Sequence, residues 1–148
     1  MTAIAWDGKT LAADRMTSDE WVLRTTRKIA MLRGHLVGCA GNAAAAREAL
    51  AWFGRGALES DFPAVMRDKD DSPTMIVISP DRFVFMYQRS PQPIELLDEV
   101  QAIGSGADAC IAAMLCGKTA AEAVAVAARI CRGVGRGVDT LAFDHETP

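Results

Sequence analysis

The sequence predicts an α+β domain in which antiparallel sheets carry helices on their outer faces. Strand-like runs and helical runs come in blocks along the chain instead of alternating strictly, which is typical of this fold class. The chain opens with two short apolar runs around Asp7-Gly8, and an Ala-rich segment follows Asn42. No repeat or change of composition divides the 148 residues, so we expect a single domain over 1–148.

The first forty residues are predicted to be mainly β-structure. Asp7-Gly8 is a strong signal for a two-residue hairpin turn, because both residue types tolerate positive φ. It joins the two apolar runs within residues 2–13. Further strands are predicted at 21–23, 28–32 and 36–40.

The helices are predicted from residue composition and from their capping residues. Residues 43–53 are strong helix formers, with Asn42 suited as the N-cap and Gly54 as the stop. Thr119 and Glu122 have the spacing of a capping box at the start of another helix. The remaining predicted elements are a hairpin of strands at 74–78 and 83–88, a strand at 101–104, helices at 107–116 and 119–131, and a last strand at 138–143.

Composition excludes several classes of function. Half of the residues are hydrophobic and the net charge is −3, so there is no basic surface for nucleic acid. No segment approaches 18 uninterrupted apolar residues and the first residues lack a signal-peptide pattern, so we expect a cytoplasmic protein without a membrane partner. Four cysteines occur without a CxxC pair, and we expect reduced core thiols, no metal site and no cofactor.

Several ordered segments carry a resemblance to a known family. They are Thr2-Ala3-Ile4-Ala5, Leu11-Ala12-Ala13-Asp14-Arg15, Arg27-Lys28-Ile29, Leu36-Val37-Gly38-Cys39-Ala40-Gly41 and Ala102-Ile103-Gly104-Ser105-Gly106. In their order and spacing the chain resembles the proteasome β-subunit family, and more closely its HslV-type branch. The resemblance implies a four-layer αββα sandwich of the N-terminal-nucleophile hydrolases, assembled in self-associated rings that cleave peptide or unfolded-protein substrates. An ATPase unfoldase partner is implied by the same resemblance.

The resemblance also implies a set of catalytic residues. Thr2 matches the nucleophile and would become the first residue once Met1 is removed, its amine then serving as the base. Lys28 and Asp14 match the lysine that activates this threonine and the carboxylate that orients the lysine. Two further matches are Gly38, as the glycine whose N–H faces the oxyanion, and Ser105, as the serine near the nucleophile.

Three departures from the family pattern bear on these roles. The first hairpin is about four residues shorter; if the loss is shared by both strands, Thr2 lies opposite Ala13 and beside Asp14. If instead Asp7-Gly8 aligns with the family's turn without a gap, the chain begins about three residues too late to place Thr2 at the catalytic position, and the fold is inactive. Cys131 and Val134 stand where the family has a supporting aspartate and serine, while Asp139 aligns with a strand position. Residues 54–72 are too few for the family's second long helix, so we expect a reduced helical layer.

Three hypotheses of function follow. The first is a threonine-type peptidase, or a related amide hydrolase, that uses Thr2. The second is a non-catalytic ring-forming or scaffold subunit, and the fate of Met1 separates it from the first. A cysteine-dependent or metal enzyme is disfavoured, because the two histidines, His35 and His145, fall at a predicted turn and in the C-terminal tail.

Overall fold

The computed structural model describes residues 1–19 and 21–143, which form two large antiparallel sheets flanked by helices and a separate two-stranded ribbon. The described strands are β1 (Ile4–Trp6), β2 (Thr10–Asp14), β3 (Met16–Ser18), β4 (Leu23–Thr25), β5 (Ile29–Leu32), β6 (His35–Ala40), β7 (Thr74–Ile78), β8 (Val84–Gln88), β9 (Ile94–Leu96), β10 (Gln101–Ile103) and β11 (Val138–Ala142). The helices are α1 (Ala43–Gly54), α2 (Ala64–Arg67), α3 (Ala107–Leu115) and α4 (Ala120–Ile130), with a 3-10 turn at Glu59–Asp61.

The two sheets pack face to face and each is covered by helices on its outer side. The first sheet has the order β10-β1-β2-β11 and contacts α3 and α4; the second has the order β5-β6-β7-β8-β9 and contacts α1. Strand alternation explains the layering, since Ile4 faces the other sheet whereas Ala3 and Ala5 face the helices. The four-layer αββα sandwich predicted from the sequence is therefore confirmed.

Three apolar clusters fill the spaces between the layers. The cluster between the sheets includes Ile4, Leu11, Ile29, Leu36 and Ile76. The cluster beneath α3 and α4 is built largely of alanine, including Ala3, Ala12, Ala123 and Ala127, so these helices approach the sheet closely. The cluster beneath α1 is bulkier and includes Trp52, Phe53, Met66 and Met75.

Helix α1 begins as predicted, but Gly54 is its last residue and not its stop, since the C-cap is Arg55. The helical layer that contains α1 is reduced. The Asn42 side chain accepts hydrogen bonds from the N–H groups of Ala44 and Ala45, at 2.9 and 3.2 Å. In the segment after α1, α2 has only four residues. The prediction that residues 54–72 leave no room for a second long helix is confirmed.

The first hairpin differs from the predicted register. Ile4, not Thr2, lies opposite Ala13, and the Asp14 N–H donates to the Ala3 carbonyl oxygen at 3.1 Å. The turn is centred on Gly8 and the residue after it, because the Asp7 carboxylate accepts the N–H groups of residues 9 and 10. Moving the turn centre by one residue shifts the strand register by two residues. The same side chains therefore still face the other sheet and the helices, and Thr2 lies one residue further from the turn.

Three strands differ from the prediction because they bury little. Strands β3 and β4 pair only with each other and lie mostly exposed, so no apolar alternation marked Met16–Ser18, and the strand predicted at 21–23 lies at Leu23–Thr25. Strand β9 was missed for the same reason, since it forms the edge of the second sheet. No helix among the described residues is long and apolar enough to cross a bilayer.

Candidate active site

Lys28 lies immediately before β5 and points its ammonium group into the interior. Its side chain is only 8% exposed. The Nζ donates to Asp14 Oδ1 at 2.9 Å, to Thr2 Oγ1 at 3.2 Å and to the Met1 carbonyl oxygen at 2.9 Å. Burial lowers the pKa of Lys28 from its usual value, although the hydrogen bond and charge of Asp14 act in the opposite direction.

Asp14 ends β2 and is completely buried. Its Oδ1 accepts from the Ala3 N–H at 3.0 Å in addition to Lys28. Its Oδ2 accepts from the N–H groups of Met16, at 3.2 Å, and Gly135, at 3.1 Å. Both carboxylate oxygens are thus saturated with donors, which fixes the position of the carboxylate under Lys28.

Thr2 is held from the other side by the loop between β10 and α3. Its backbone N–H donates to Ser105 Oγ at 3.2 Å, and the Gly106 N–H donates to the Thr2 carbonyl oxygen at 3.0 Å. Gly104 has φ +94°, and a Cβ there would collide with the Thr2 carbonyl group. Because Gly104 and Gly106 have no side chain, the loop can lie directly against the Thr2 backbone.

Met1 occupies the space in front of Thr2. Its carbonyl oxygen accepts a hydrogen bond from Lys28, and its side chain lies against Gly133. While Met1 is attached, the Thr2 nitrogen is a peptide amide and has no basic lone pair. Removal of Met1 would convert the same nitrogen, still beside Ser105, into an α-amine within reach of its own hydroxyl.

The structure brings Thr2, Asp14, Lys28 and Ser105 together but places Gly38 elsewhere. Gly38 lies within the second sheet, where a Cβ would meet the side chains of Ile29 and Ile4 at 3.0–3.2 Å. The Cys39 N–H donates to the Lys28 carbonyl oxygen, so by antiparallel alternation the Gly38 N–H points toward β7. Gly38 serves close packing of the two sheets.

Gly41, three residues further on, shares the lining of the cavities beside Thr2. It follows the end of β6 and has φ +136°, and a Cβ there would lie 3.0 Å from Pro73 Cα. Gly41 lines both cavities that border Thr2. The sequence carries a signal for it, since it immediately precedes the Asn42 N-cap of α1.

Two cavities meet at Thr2. The first, of about 90 Å³, lies between the β3–β4 ribbon, β6 and α1, with Lys28 and Cys39 among its lining residues. The second, of about 310 Å³, is shallower and is lined by Ser72, Thr74 and Ser105. Thr2 therefore has a confined space on one side and an open polar surface on the other.

The cysteines lie in environments that differ from one another. Cys39 and Cys110 are buried, as predicted, whereas Cys116 is exposed at the end of α3 and Cys131 is partly buried. The expectation that all four are core thiols is therefore wrong for Cys116, because α3 ends before it. Burial raises the pKa of Cys39 to about 12 and that of Cys110 to about 11, which keeps both thiols protonated and poorly nucleophilic.

The described residues also offer no histidine-based or metal-based catalytic site. His35 packs edge-on against Phe53 and hydrogen-bonds the Arg33 carbonyl oxygen, while His145 lies outside the described residues. Within residues 1–19 and 21–143, no group of three or more histidine, cysteine or acidic residues is placed to hold a metal ion.

Comparison with known proteins gives matches in structure alone. No protein-family model and no curated protein sequence matches this chain. BPH from Thiobacillus denitrificans matches with a TM-score of 0.69 and 17% identity, over 96% of this chain and 97% of BPH. A second structure of BPH, in complex with epoxomicin, matches with a TM-score of 0.67 and 15% identity, over 96% and 98%. Eukaryotic HslV from Trypanosoma brucei matches with a TM-score of 0.68 and 19% identity, over 95% and 97%.

The chain has the HslV fold. The match spans nearly the whole length of both chains, and it confirms the architecture that the ordered sequence segments indicated.

Within this HslV fold, the glycine-rich segment before β11 supports the site through its backbone. Val134 is buried against the first sheet and Cys131 lies at its margin, so neither side chain contacts Thr2 by a hydrogen bond. Asp139 lies in β11 opposite Ala13, as predicted, and pairs with Arg15 at 3.4 Å. Support comes instead from the Gly135 N–H, which binds Asp14. Sequence reasoning missed this contact because a backbone donor leaves no mark on residue type.

Proposed function

We propose that this chain is a threonine-type peptidase in which Thr2, freed by removal of Met1, is the nucleophile. The observation that carries the proposal is the 3.2 Å contact between Lys28 Nζ and Thr2 Oγ1, with Lys28 itself held by buried Asp14. An ammonium at this distance stabilises the alkoxide character that Thr2 develops during attack. The Lys28 ammonium lies in a site largely closed to water, so its attraction to the developing alkoxide is screened less than that of a surface ion pair.

The proposed reaction proceeds through an acyl-enzyme. Thr2 Oγ1 attacks the carbonyl carbon of the substrate while its proton passes to the Thr2 α-amine, which Ser105 Oγ orients. The tetrahedral oxyanion faces the Gly41 N–H, which we propose as the donor in place of Gly38. The amine protonates the leaving nitrogen as the C–N bond breaks, and a water molecule, deprotonated by the same amine, then hydrolyses the Thr2 ester.

The state of Thr2 can be tested directly. Purified protein is examined by intact mass and N-terminal sequencing before and after treatment with a peptide epoxyketone, which requires both a hydroxyl and a free α-amine. We expect loss of Met1 and one adduct on Thr2. A Thr2→Ala variant should take no adduct, whereas Thr140→Ala, at an exposed position of β11, should react like the wild type.

The same experiment addresses the alternative of a non-catalytic scaffold subunit. That alternative is distinguished by the fate of Met1, because a retained methionine leaves Thr2 without the free α-amine that would act as its base. Retained Met1 with no adduct would support the scaffold and contradict the peptidase. A related amide hydrolase would take the adduct and yet leave peptides uncleaved.

Self-assembly into a ring is part of this proposal, with peptides or unfolded proteins as substrates in the cytoplasm and an ATPase unfoldase as a further partner. Large apolar side chains left exposed on the described surface support assembly; they include Trp21, at 87%, Leu97, at 84%, and Leu115, at 74%. Multi-angle light scattering should return an oligomer whose mass is a whole multiple of the chain. A monomer over a broad concentration range would contradict the ring.

A further inference from the structure

The confined cavity beside Thr2 is lined by two arginines that come from different elements of the fold. Arg27 directly precedes Lys28, and Arg47 lies in α1. The rest of the lining is mostly apolar and small, with Cys39, Ala46 and Leu50 among its members. A side chain that enters this cavity therefore meets apolar lining residues and two guanidinium groups.

The positive charge of the cavity is not neutralised within the described part of the chain. No aspartate or glutamate lines it. Arg27 and Arg47 form no ion pair with any described carboxylate, whereas the charge of Lys28 is paired with Asp14. The cavity therefore has a local excess of positive charge, although the whole chain has a net charge of −3.

The shape of the two cavities indicates which part of a substrate each can hold. The cavity with the arginines is confined, at about 90 Å³, so it can hold a side chain but not a continuing main chain. The cavity with Ser72 and Thr74 is open and polar, which suits a main chain that leaves the site.

We propose that the arginine cavity selects substrates with an acidic side chain on the residue whose carbonyl carbon Thr2 attacks. This inference deepens the proposed threonine peptidase and rests on it. A carboxylate between Arg27 and Arg47 forms charge-assisted hydrogen bonds with either guanidinium. Because both arginines are exposed, solvent screens the attraction and the selectivity is moderate.

The test uses fluorogenic peptides that differ only in the residue before the scissile bond: Glu, Gln, Leu or Lys. Glu and Gln have nearly the same shape, so their ratio of kcat/KM isolates the charge. We expect Glu to exceed Gln by about three- to tenfold at low salt and Lys to be the poorest, with the ratio falling as salt rises. Equal values for Glu and Gln would overturn the inference.

Arginine variants connect this ratio to the cavity. Arg47→Gln and Arg27→Gln should each lower the Glu-to-Gln ratio, and the double variant should bring it to about one. Arg129→Gln, at an exposed position of α4, is the matched control and should keep the ratio. An unchanged ratio in the double variant would assign the selectivity to another part of the protein.

A binding measurement separates this inference from the proposed function. Thr2→Ala protein lacks the nucleophile but keeps both arginines, and its binding of fluorescent peptides that end in Glu or Gln is measured by anisotropy. Tighter binding of the Glu peptide, even if the wild type takes no epoxyketone adduct, would support the cavity and reject only the peptidase. An adduct together with equal binding of both peptides would uphold the peptidase and reject the acidic preference.

Discussion

Asp14 and Lys28 form an ion pair of 2.9 Å in which the carboxylate is completely buried and the ammonium is 8% exposed. Taking two charges out of water is costly, and their attraction offsets that cost only while both are present and hydrogen-bonded. The pair therefore links the reactivity of Thr2 to the stability of the first sheet, because Asp14 is also the last residue of β2.

Replacing Lys28 should lower both stability and reactivity. Lys28→Met leaves the Asp14 carboxylate buried without its countercharge, so we expect the free energy of unfolding to fall by about 3–5 kcal/mol. The adduct on Thr2 should also be lost. Urea denaturation measures the first effect, with the exposed Lys69→Met variant as the control. A Lys28→Met variant as stable as the control would show that the buried charge is neutralised by other means.

Asp14→Asn should be poorly tolerated in spite of its similar shape. Both Asp14 oxygens accept hydrogen bonds, Oδ1 from Ala3 and Lys28 and Oδ2 from Met16 and Gly135. An asparagine has only one oxygen, so its NH₂ group must replace one accepting oxygen and face N–H donors there. Each buried N–H group left without an acceptor costs about 1–3 kcal/mol of folding free energy. The urea midpoint should fall well below that of Asp81→Asn, an exposed control, and equal midpoints would contradict the hydrogen-bond scheme.

Gly104→Ala and Gly117→Ala form a matched pair. The two glycines have nearly the same backbone conformation, with φ +94° and +93°, so alanine costs about 1–2 kcal/mol at either site. A Cβ at Gly117 meets nothing within 4 Å, whereas one at Gly104 collides with the Thr2 carbonyl group. We therefore expect Gly117→Ala to keep epoxyketone labelling and Gly104→Ala to lose it, as intact mass would measure. Equal labelling would mean that the loop does not position Thr2.

The buried thiols should make the protein less stable at high pH. Burial raises the pKa of Cys39 to about 12 and that of Cys110 to about 11, from a usual value of 9.0. Above pH 9.0 the unfolded chain loses protons that the folded chain keeps, so the free energy of unfolding falls as pH rises toward 11 and 12. The loss should be smaller in Cys39→Ala/Cys110→Ala, measured by urea titration from pH 8 upward. An identical pH dependence in that variant would exclude these thiols as the cause.

Features determined by local interactions could be predicted from the sequence. The Asn42 cap and the capping box of Thr119 and Glu122 each depend on residues within one helical turn, and both form as expected. The hydrophobic patterns predicted antiparallel sheets with helices on their outer faces, and the resemblance implied the four-layer αββα arrangement of these elements. Thr2, Asp14, Lys28 and Ser105 came from the resemblance, and the structure places them in one cluster.

Features that depend on backbone geometry could not be predicted. The hairpin register was off by two residues because Asp7 and Gly8 can occupy either the first two or the central two positions of a turn. Gly38 and Gly41 are both glycines near the end of β6, and residue type alone does not reveal which one packs between the sheets and which one borders Thr2. The β3–β4 ribbon buries too little to leave a hydrophobic pattern.

The hydrogen bond from Gly135 to Asp14 spans 121 residues of sequence. A chain cut short before residue 135 therefore lacks one of the donors that anchor the Asp14 carboxylate. The order of the site thus reports the folding of the whole described domain and not of the first hairpin alone, because segments far apart in the sequence must come together before the carboxylate under Lys28 is fully held.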